Sequence, residues 1–325
     1  MDRSMSKGPS CAMDAQLGVA DILKQALCLP FKNKKLMLPV LLVSILPSSL
    51  LSMGHYVSMY PLLVSFIIKL YLLKKEDPST PQFFDTVIGI KADAEDFLHV
   101  YKFFVVISYV LNLLSTLLVV LASAMAYSAK ESAVDDLLAR IKGAWKGLLV
   151  TRIYFTLLCI GYTVLSVSLI AVLMLNAEGS RAWIAMTTVL GISARLLYVY
   201  LAMVWTVGLV ISVLEDGSCG LEALSRAGEI VKARRRQGFA IAIILLLVDG
   251  VLTGGYGFGV NKAHHPRMGL IVINVVLLLK MFSLMVYTVF YYECKKSHGS
   301  KVEMAGDLHK YTRVKTSPSV DEALP

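Results

Sequence analysis

The sequence predicts an all-α fold: a polytopic helical membrane protein with six transmembrane helices and further amphipathic helices at the membrane interface. Three observations support this prediction. The 325 residues are 56% hydrophobic and only 17% charged, whereas soluble domains carry about 25% charged residues. Six stretches are apolar over the roughly 20 residues that a helix needs to cross the hydrocarbon core. Lysine and arginine, which give a formal net charge of +9, cluster beside these stretches.

Residues 1–35 are the first predicted element, a cytoplasmic N-terminal segment that contains an amphipathic helix. Leu17, Ala20, Leu23 and Leu27 recur at the spacing of one helix face. The segment carries charges throughout and has no short apolar core followed by a cleavage site. We therefore expect no cleaved signal peptide.

The six-span membrane domain is predicted over residues 36–292. Its spans are expected at 36–53, 103–127, 153–175, 196–214, 239–260 and 269–292. Pro39 and Pro47 should bend the first span, because proline removes a backbone hydrogen bond from a helix. The fourth apolar stretch begins earlier, at Trp183, and Arg195 divides it. Arg195 would either reach the headgroups or face a polar interior.

Residues 56–73 are apolar but contain Pro61 and Lys69. A seventh span there would place one group of basic residues on the wrong side of the membrane. We therefore predict an interfacial or re-entrant helix, followed by a polar extracytoplasmic loop at 74–102. With six spans, both termini lie on the side that holds most lysines and arginines. This predicts a multi-pass protein of an endomembrane or the plasma membrane with both termini cytoplasmic.

Amphipathic segments also precede the third and fifth spans. Leu137 and Ile141 share a face in the first of these, as do Leu224 and Val231 in the second. Together with the N-terminal helix they predict three repeats, each an interfacial helix followed by a two-helix hairpin. Convergent amphipathic patterning would give the same pattern. Residues 293–325 are predicted to be a disordered cytoplasmic tail.

The sharpest local signal is an acid and a base inside the last two spans. Asp249 lies eleven positions before Val260, where the fifth span ends, and Lys280 lies eleven positions after Gly269, where the sixth span begins. In an antiparallel hairpin they would be level near the bilayer centre, where charged residues either pair or mark a pathway. Two interpretations follow: an ion pair that fixes the register of the two spans, or a charged site in a carrier.

Other polar residues extend these hypotheses. Asn112, Arg195 and Asn274 are candidates for a polar interior. Glu215 and Asp216 form either a solvated turn or an ion-paired clamp with basic residues of the following loop. The predicted lipid-contacting residues of that loop are Lys232, Arg234, Arg235 and Arg236. The glycines Gly250, Gly254 and Gly257 have a near-helical spacing that favours close helix packing.

The sequence contains none of the signatures H-E-x-x-H, G-x-S-x-G or P-loop. Its five cysteines form no C-x-x-C pair. We therefore predict no catalytic residues, no metal, no cofactor and no enzymatic activity. We also expect no nucleic-acid partner, because no basic surface with interleaved aromatics occurs on a soluble domain.

Two sequence blocks resemble a family of plant integral membrane proteins with no assigned biochemical activity. The first block is KNKKLMLP at 32–39, which runs into LPSSL at 46–50. The second is VWTVGLVISVLED at 204–216, followed by GLEAL at 220–224 and QGF at 237–239. The repeated hairpins more faintly resemble the membrane domain found beside bacterial glycerophosphodiester phosphodiesterases, whose catalytic domain has no counterpart here. The resemblance implies a fold and no reaction.

The sequence thus favours a non-enzymatic scaffold or membrane-organising protein. Its partners would be the lipid bilayer, anionic phospholipid headgroups and a cytosolic protein. The alternative is an ion- or proton-coupled carrier of small solutes that uses Asp249 and Lys280.

Overall fold

A computed structural model describes residues 17–75, 80–128, 134–175, 181–215, 217–260 and 266–314. The regular structure in these ranges is helical throughout. The helices are α1 Val19–Lys32, α2 Lys34–Lys75, α3 Pro81–Tyr127, α4 Val134–Leu175, α5 Arg181–Leu214, α6 Leu221–Lys232, α7 Arg235–Val260 and α8 Pro266–Val314.

The prediction of an all-α fold with six membrane-length helices is confirmed for the described residues. Six of their helices are long and apolar enough to cross a membrane. They are α2, α3, α5, the 36-residue part of α4 from Arg140 to Leu175, and the parts Arg235–Gly254 of α7 and Ile271–Ser297 of α8. Each predicted span falls in a different one of these helices.

The core of the bundle is built around α5. The most apolar window of α5 is 61% buried, whereas that of α4 is 0% buried. The buried side chains of α5 concentrate in its last third, around Val207 and Ile211. They pack in one cluster with Ile22 of α1, Ala227 of α6 and Phe290 of α8. We call this region the packed end of the bundle.

Away from the packed end, the helices present apolar side chains outward. Leu165, Leu175 and Val251 are 69%, 85% and 72% exposed. Exposed aliphatic residues on every side of a helix bundle are unfavourable in water and suit a hydrocarbon solvent. This surface is the structural feature that a lipid environment would explain.

The structure corrects the prediction of a loop at 74–102 and joins residues 56–73 to the first predicted span in one helix. Residues 56–73 are part of α2, which runs without a break through Pro39, Pro47 and Pro61. Most of 74–102 is helical too, since α3 begins at Pro81. A proline inside a helix removes a backbone hydrogen bond and crowds the preceding turn, and α2, which contains three prolines, packs against α3. Both helices exceed a bilayer's thickness, since 42 and 47 residues extend about 63 and 70 Å.

Polar contacts hold α2 and α3 together at their far end. Lys69 Nζ lies 2.8 Å from a carboxylate oxygen of Asp93 and 3.3 Å from the Gly89 carbonyl oxygen. The Ser65 hydroxyl donates to the same Asp93 oxygen at 2.8 Å. In the sequence, the charge of Lys69 argued against a membrane span at 56–73. In the structure, that charge is paired with Asp93 of the antiparallel helix α3.

Two of the three predicted amphipathic helices are separate elements, α1 and α6. The third is continuous with the span that follows it, as the first part of α4. In α1 the buried face is Ile22, Ala26 and Leu29, while Leu27, predicted for that face, is 56% exposed. The three-repeat arrangement stays a prediction.

The predicted disordered tail is partly helical. The backbone of α8 continues to Val314, and residues 315–325 lie outside the described part of the chain. Residues 293–314 lack an apolar period, which suggested disorder, but they contain no proline and carry four lysines and two glutamates, which favour a helix. Helix propensity and continuity with α8 account for the difference.

Candidate functional site

A cavity of about 380 Å³ lies among α3, α4, α5, α7 and α8. Its walls carry Asn112, Arg152, Arg195, Asp249 and Lys280, one from each of the five helices. Four of these were singled out from the sequence. Arg152 was missed, because its position beside a predicted span made it look like an ordinary flanking charge.

Each arginine of the cavity is positioned by an aromatic ring three residues further along its own helix. The Arg152 guanidinium lies 5.2 Å from the Phe155 ring centroid, and that of Arg195 lies 5.5 Å from the Tyr198 ring centroid. Residues three apart in a helix share a face, and a cation over an aromatic face is stabilised electrostatically. The rings hold both guanidinium groups without neutralising them.

Asp249 and Lys280 line the same cavity, but no ion pair joins them in the described part of the chain. The two spans are therefore not held in register by this pair here. Arg152 and Arg195 likewise have no carboxylate partner among the described residues. The cavity thus holds three cationic side chains and one carboxylate, none of which pairs with another described residue.

Three neutral polar side chains of the cavity donate hydrogen bonds within their own helices. The hydroxyls of Thr116 and Thr206 each donate to a backbone carbonyl four residues earlier at 2.7 Å. The Asn112 side-chain amide donates to the Ser108 carbonyl oxygen at 2.9 Å. The charged side chains of the cavity form no ion pair within the described residues and are therefore available to a bound molecule. Asn274, the remaining candidate for a polar interior, is not among the residues that line this cavity.

The predicted lipid-contacting cluster divides into exposed and buried members. Lys232, Arg235 and Arg236 are exposed at the junction of α6 and α7. Arg234 is not: its side chain is only 4% exposed and lies 3.4 Å from a Glu293 carboxylate oxygen of α8. A side chain in this position cannot reach lipid headgroups, so Arg234 is removed from the predicted set.

The Arg234–Glu293 pair connects four parts of the packed end. Arg234 also donates to the Leu17 carbonyl oxygen at 3.5 Å, and the Tyr127 hydroxyl lies 3.3 Å from the second carboxylate oxygen of Glu293. Leu17 precedes α1 and Tyr127 ends α3. The start of the described chain and the late part of α8 therefore lie at the same end of the bundle.

Glu215, directly after α5, forms the predicted clamp with different partners. Its carboxylate is 2.8 Å from both Arg226 of α6 and Lys295 of α8, and it accepts a hydrogen bond of 2.6 Å from the Tyr291 hydroxyl. Burial alone would raise the pKa of Glu215, but the hydrogen bonds from Lys295 and Tyr291 outweigh it and lower that pKa. Asp216 lies outside the described residues.

Two of the three packing glycines suggested by the sequence are not at a close contact, and the third, Gly257, lies outside the residues whose surroundings the structure describes. A Cβ added at Gly250 or Gly254 would have no described atom within 4 Å, so these two glycines do not mark a close helix contact. A Cβ at Gly238 would lie 2.5 Å from Met203 Sδ and 2.7 Å from Phe290 Cζ. Gly238, where α7 crosses α5 and α8, is therefore a position where the close helix contact leaves no room for a side chain.

The fold and this site define a class: within the described residues, a helical protein with six membrane-length helices, five of which surround a charged cavity. The chain belongs to the family described as Domain of unknown function (DUF8558), whose model matches residues 12–314. That match includes every helix from α1 to α8. No curated protein and no solved structure matches the chain. The resemblance to plant membrane proteins stays a prediction.

Proposed function

We propose that this protein is a multi-pass membrane carrier that binds an anionic ligand in the cavity among α3, α4, α5, α7 and α8. The supporting observation is the charge of that cavity: Arg152, Arg195 and Lys280 face one carboxylate, Asp249, with no ion pair among them. Unpaired charges among membrane-spanning helices are costly and are kept where a substrate or ion uses them. A bound anion would offset the excess positive charge.

Coupling to a proton or a cation would act through Asp249. A proton or cation bound to this carboxylate changes the net charge of the cavity and therefore its affinity for an anion. The sequence suggested a carrier in which Asp249 and Lys280 act as a pair. The present proposal keeps the carrier but gives the two residues separate roles.

Thermal unfolding of the purified protein in detergent tests the anion site. We expect millimolar inorganic phosphate or acetate to raise the Tm above its value in equimolar chloride, because a ligand that binds only the folded state stabilises it. Lys280→Gln and Arg195→Gln should reduce this rise. Lys91→Gln is the matched control, because Lys91 lies on α3 outside the cavity and is 79% exposed. An unchanged rise in both cavity variants would exclude the site.

A second candidate function is a non-enzymatic scaffold that engages anionic phospholipid headgroups or a cytosolic protein. It is favoured by the exposed Lys232, Arg235 and Arg236 beside the packed end, each worth about 1 kcal/mol at an anionic surface. Native mass spectrometry of the full chain should show fewer phosphatidylserine adducts when all three are changed to Glu. Equal adduct numbers would remove this proposal. The scaffold proposal includes the location of both termini on the cytoplasmic side of an endomembrane or the plasma membrane.

A further inference from the structure

A second cavity, of about 800 Å³, lies between α2 and α3 next to the charged cavity. We call the two the apolar cavity and the charged cavity. Aromatic side chains dominate the apolar cavity, among them Tyr56, Tyr60, Phe97, Tyr101 and Phe104. Tyr56 stacks on Tyr60, and Phe97 on Tyr101, with ring centroids 5.7 and 6.2 Å apart. Such walls bind hydrocarbon through dispersion and burial of apolar surface.

The two cavities meet at Asn112 and Arg152, which line both of them. The Arg152 guanidinium therefore stands at the boundary between a cationic compartment and an aromatic one. A molecule that occupies both would place an anionic group beside Arg152, Arg195 and Lys280, and an apolar group between α2 and α3. Both volumes fall within the roughly 300–1,000 Å³ of ordinary ligand sites.

The apolar cavity is open on the outer surface of the bundle. Tyr60 and Tyr101, which line it, are 57% and 47% exposed. If α2 and α3 cross a bilayer, this opening faces acyl chains, so a hydrocarbon chain can enter from the membrane without passing through water.

We propose that the ligand is an anionic amphiphile with a hydrocarbon chain, a fatty carboxylate or a lysophospholipid phosphate monoester. Its headgroup binds the three cations of the charged cavity, and its chain lies in the apolar cavity. The proposal rests on the proposed anion site and adds the class of ligand. It follows from charge complementarity at one end, aromatic walls at the other, and the two residues shared between them.

Photolabelling tests this assignment. The probe is a long-chain fatty acid with a diazirine in its chain, added to the full-length protein in phosphatidylcholine nanodiscs. We expect adducts to concentrate on α2 and α3 around Tyr60 and Tyr101. Arg152→Gln and Lys280→Gln should each lower this labelling by about tenfold or more, the change expected for loss of one charge-assisted hydrogen bond. If Arg152→Gln does not fold, Lys280→Gln alone tests the proposal.

A size-matched pair of substitutions tests the chain-binding part separately. Ser52 lines the apolar cavity, whereas Ser58 lies on the same helix outside its lining. Ser52→Phe narrows the cavity and should lower labelling, while Ser58→Phe should leave it unchanged. Competition then identifies the headgroup: stronger displacement by palmitate indicates a carboxylate, and stronger displacement by lysophosphatidate indicates a phosphate.

The results of these experiments distinguish failure of the amphiphile proposal from failure of the anion site. Labelling spread evenly over the outer faces of the helices, and insensitive to Arg152→Gln, Lys280→Gln and Ser52→Phe, overturns the amphiphile proposal. If phosphate or acetate still stabilises the protein in that case, the anion site stands with a ligand that has no hydrocarbon chain. If neither effect is seen, both proposals fail.

Discussion

At the scale of single residues, Arg234 carries its charge inside the packed end, while its neighbour Arg235 carries the same charge on the surface. The buried arginine has Glu293 as its carboxylate partner. Removal of one member of a buried ion pair leaves the other desolvated and uncompensated. The two arginines should therefore respond very differently to the same substitution.

We predict that Arg234→Ala lowers the free energy of unfolding by about 3–5 kcal/mol. Arg235→Ala should change it by less than about 0.5 kcal/mol. Unfolding of both variants in mixed detergent, with SDS as denaturant, measures the difference. Equal effects of the two substitutions would contradict the buried pair.

Asp249 and Lys280 give the second residue-scale prediction. Because both residues line one cavity but no ion pair joins them in the described structure, Asp249→Asn and Lys280→Gln should be only weakly coupled. A double-mutant cycle should give a coupling energy of about 0.5 kcal/mol, at the lower end of the range for residues that share a cavity. Recovery of stability in the double variant after a loss in each single variant would instead support a register-fixing pair.

At the scale of helices, the crossing of α7 over α5 and α8 depends on Gly238. Met203 and Phe290 approach the position of its missing Cβ to 2.5 and 2.7 Å. Gly238→Ala forces these side chains or the helix to move, which costs about 1–3 kcal/mol.

Gly250→Ala on the same helix is the control for Gly238→Ala. It meets no described atom within 4 Å and should be neutral or stabilising by up to about 1 kcal/mol, since alanine favours a helix over glycine. Thermal unfolding of both variants makes the comparison. A loss of stability confined to Gly250→Ala would contradict this helix crossing.

The junction of α5, α6 and α8 depends on the charge of Glu215. Its folded-state pKa is lowered, so its contribution is fully present above the unfolded-state pKa of about 4.3 and is lost as the pH falls through the folded-state pKa. Arg226 and Lys295 are 51% and 56% exposed, so solvent screening limits the contribution to about 1 kcal/mol.

Glu215→Gln should therefore lower the Tm at neutral pH, and the difference from the unmodified protein should shrink as the pH falls below about 4.3. Parallel thermal unfolding series of the two proteins across this range provide the measurement. A difference in Tm that stays constant down to acidic pH would show that the charge of Glu215 is not what joins the three helices.

At the scale of the whole molecule, apolar run length predicted the six membrane-length helices correctly, because about 20 apolar residues are hard to place elsewhere. The same criterion could not predict that α2 continues through Pro61 to Lys75. Along that continuation, Lys69 pairs with Asp93 of another helix. Pairing between distant residues is not visible in a hydropathy pattern.

Part of the candidate site was predictable from the hydropathy pattern. A charge or an amide inside an apolar run is visible in the sequence, and Asn112, Arg195, Asp249 and Lys280 were found in this way. The sequence could not show that these residues share one cavity or that Arg152 joins them. It also could not separate Arg234 from Arg235, because the burial of one arginine depends on Glu293, 59 positions away.

Both proposed functions require six bilayer crossings that put both ends of the chain on one side and the charged cavity within the membrane. The most direct test places glycosylation acceptor sites in the full chain, between α2 and α3 in one version and between α3 and α4 in another. In endoplasmic reticulum membranes, we predict modification of the first version only, with both resistant to alkaline carbonate extraction. Modification of the second version, or release of the chain by carbonate, would contradict the six-span topology.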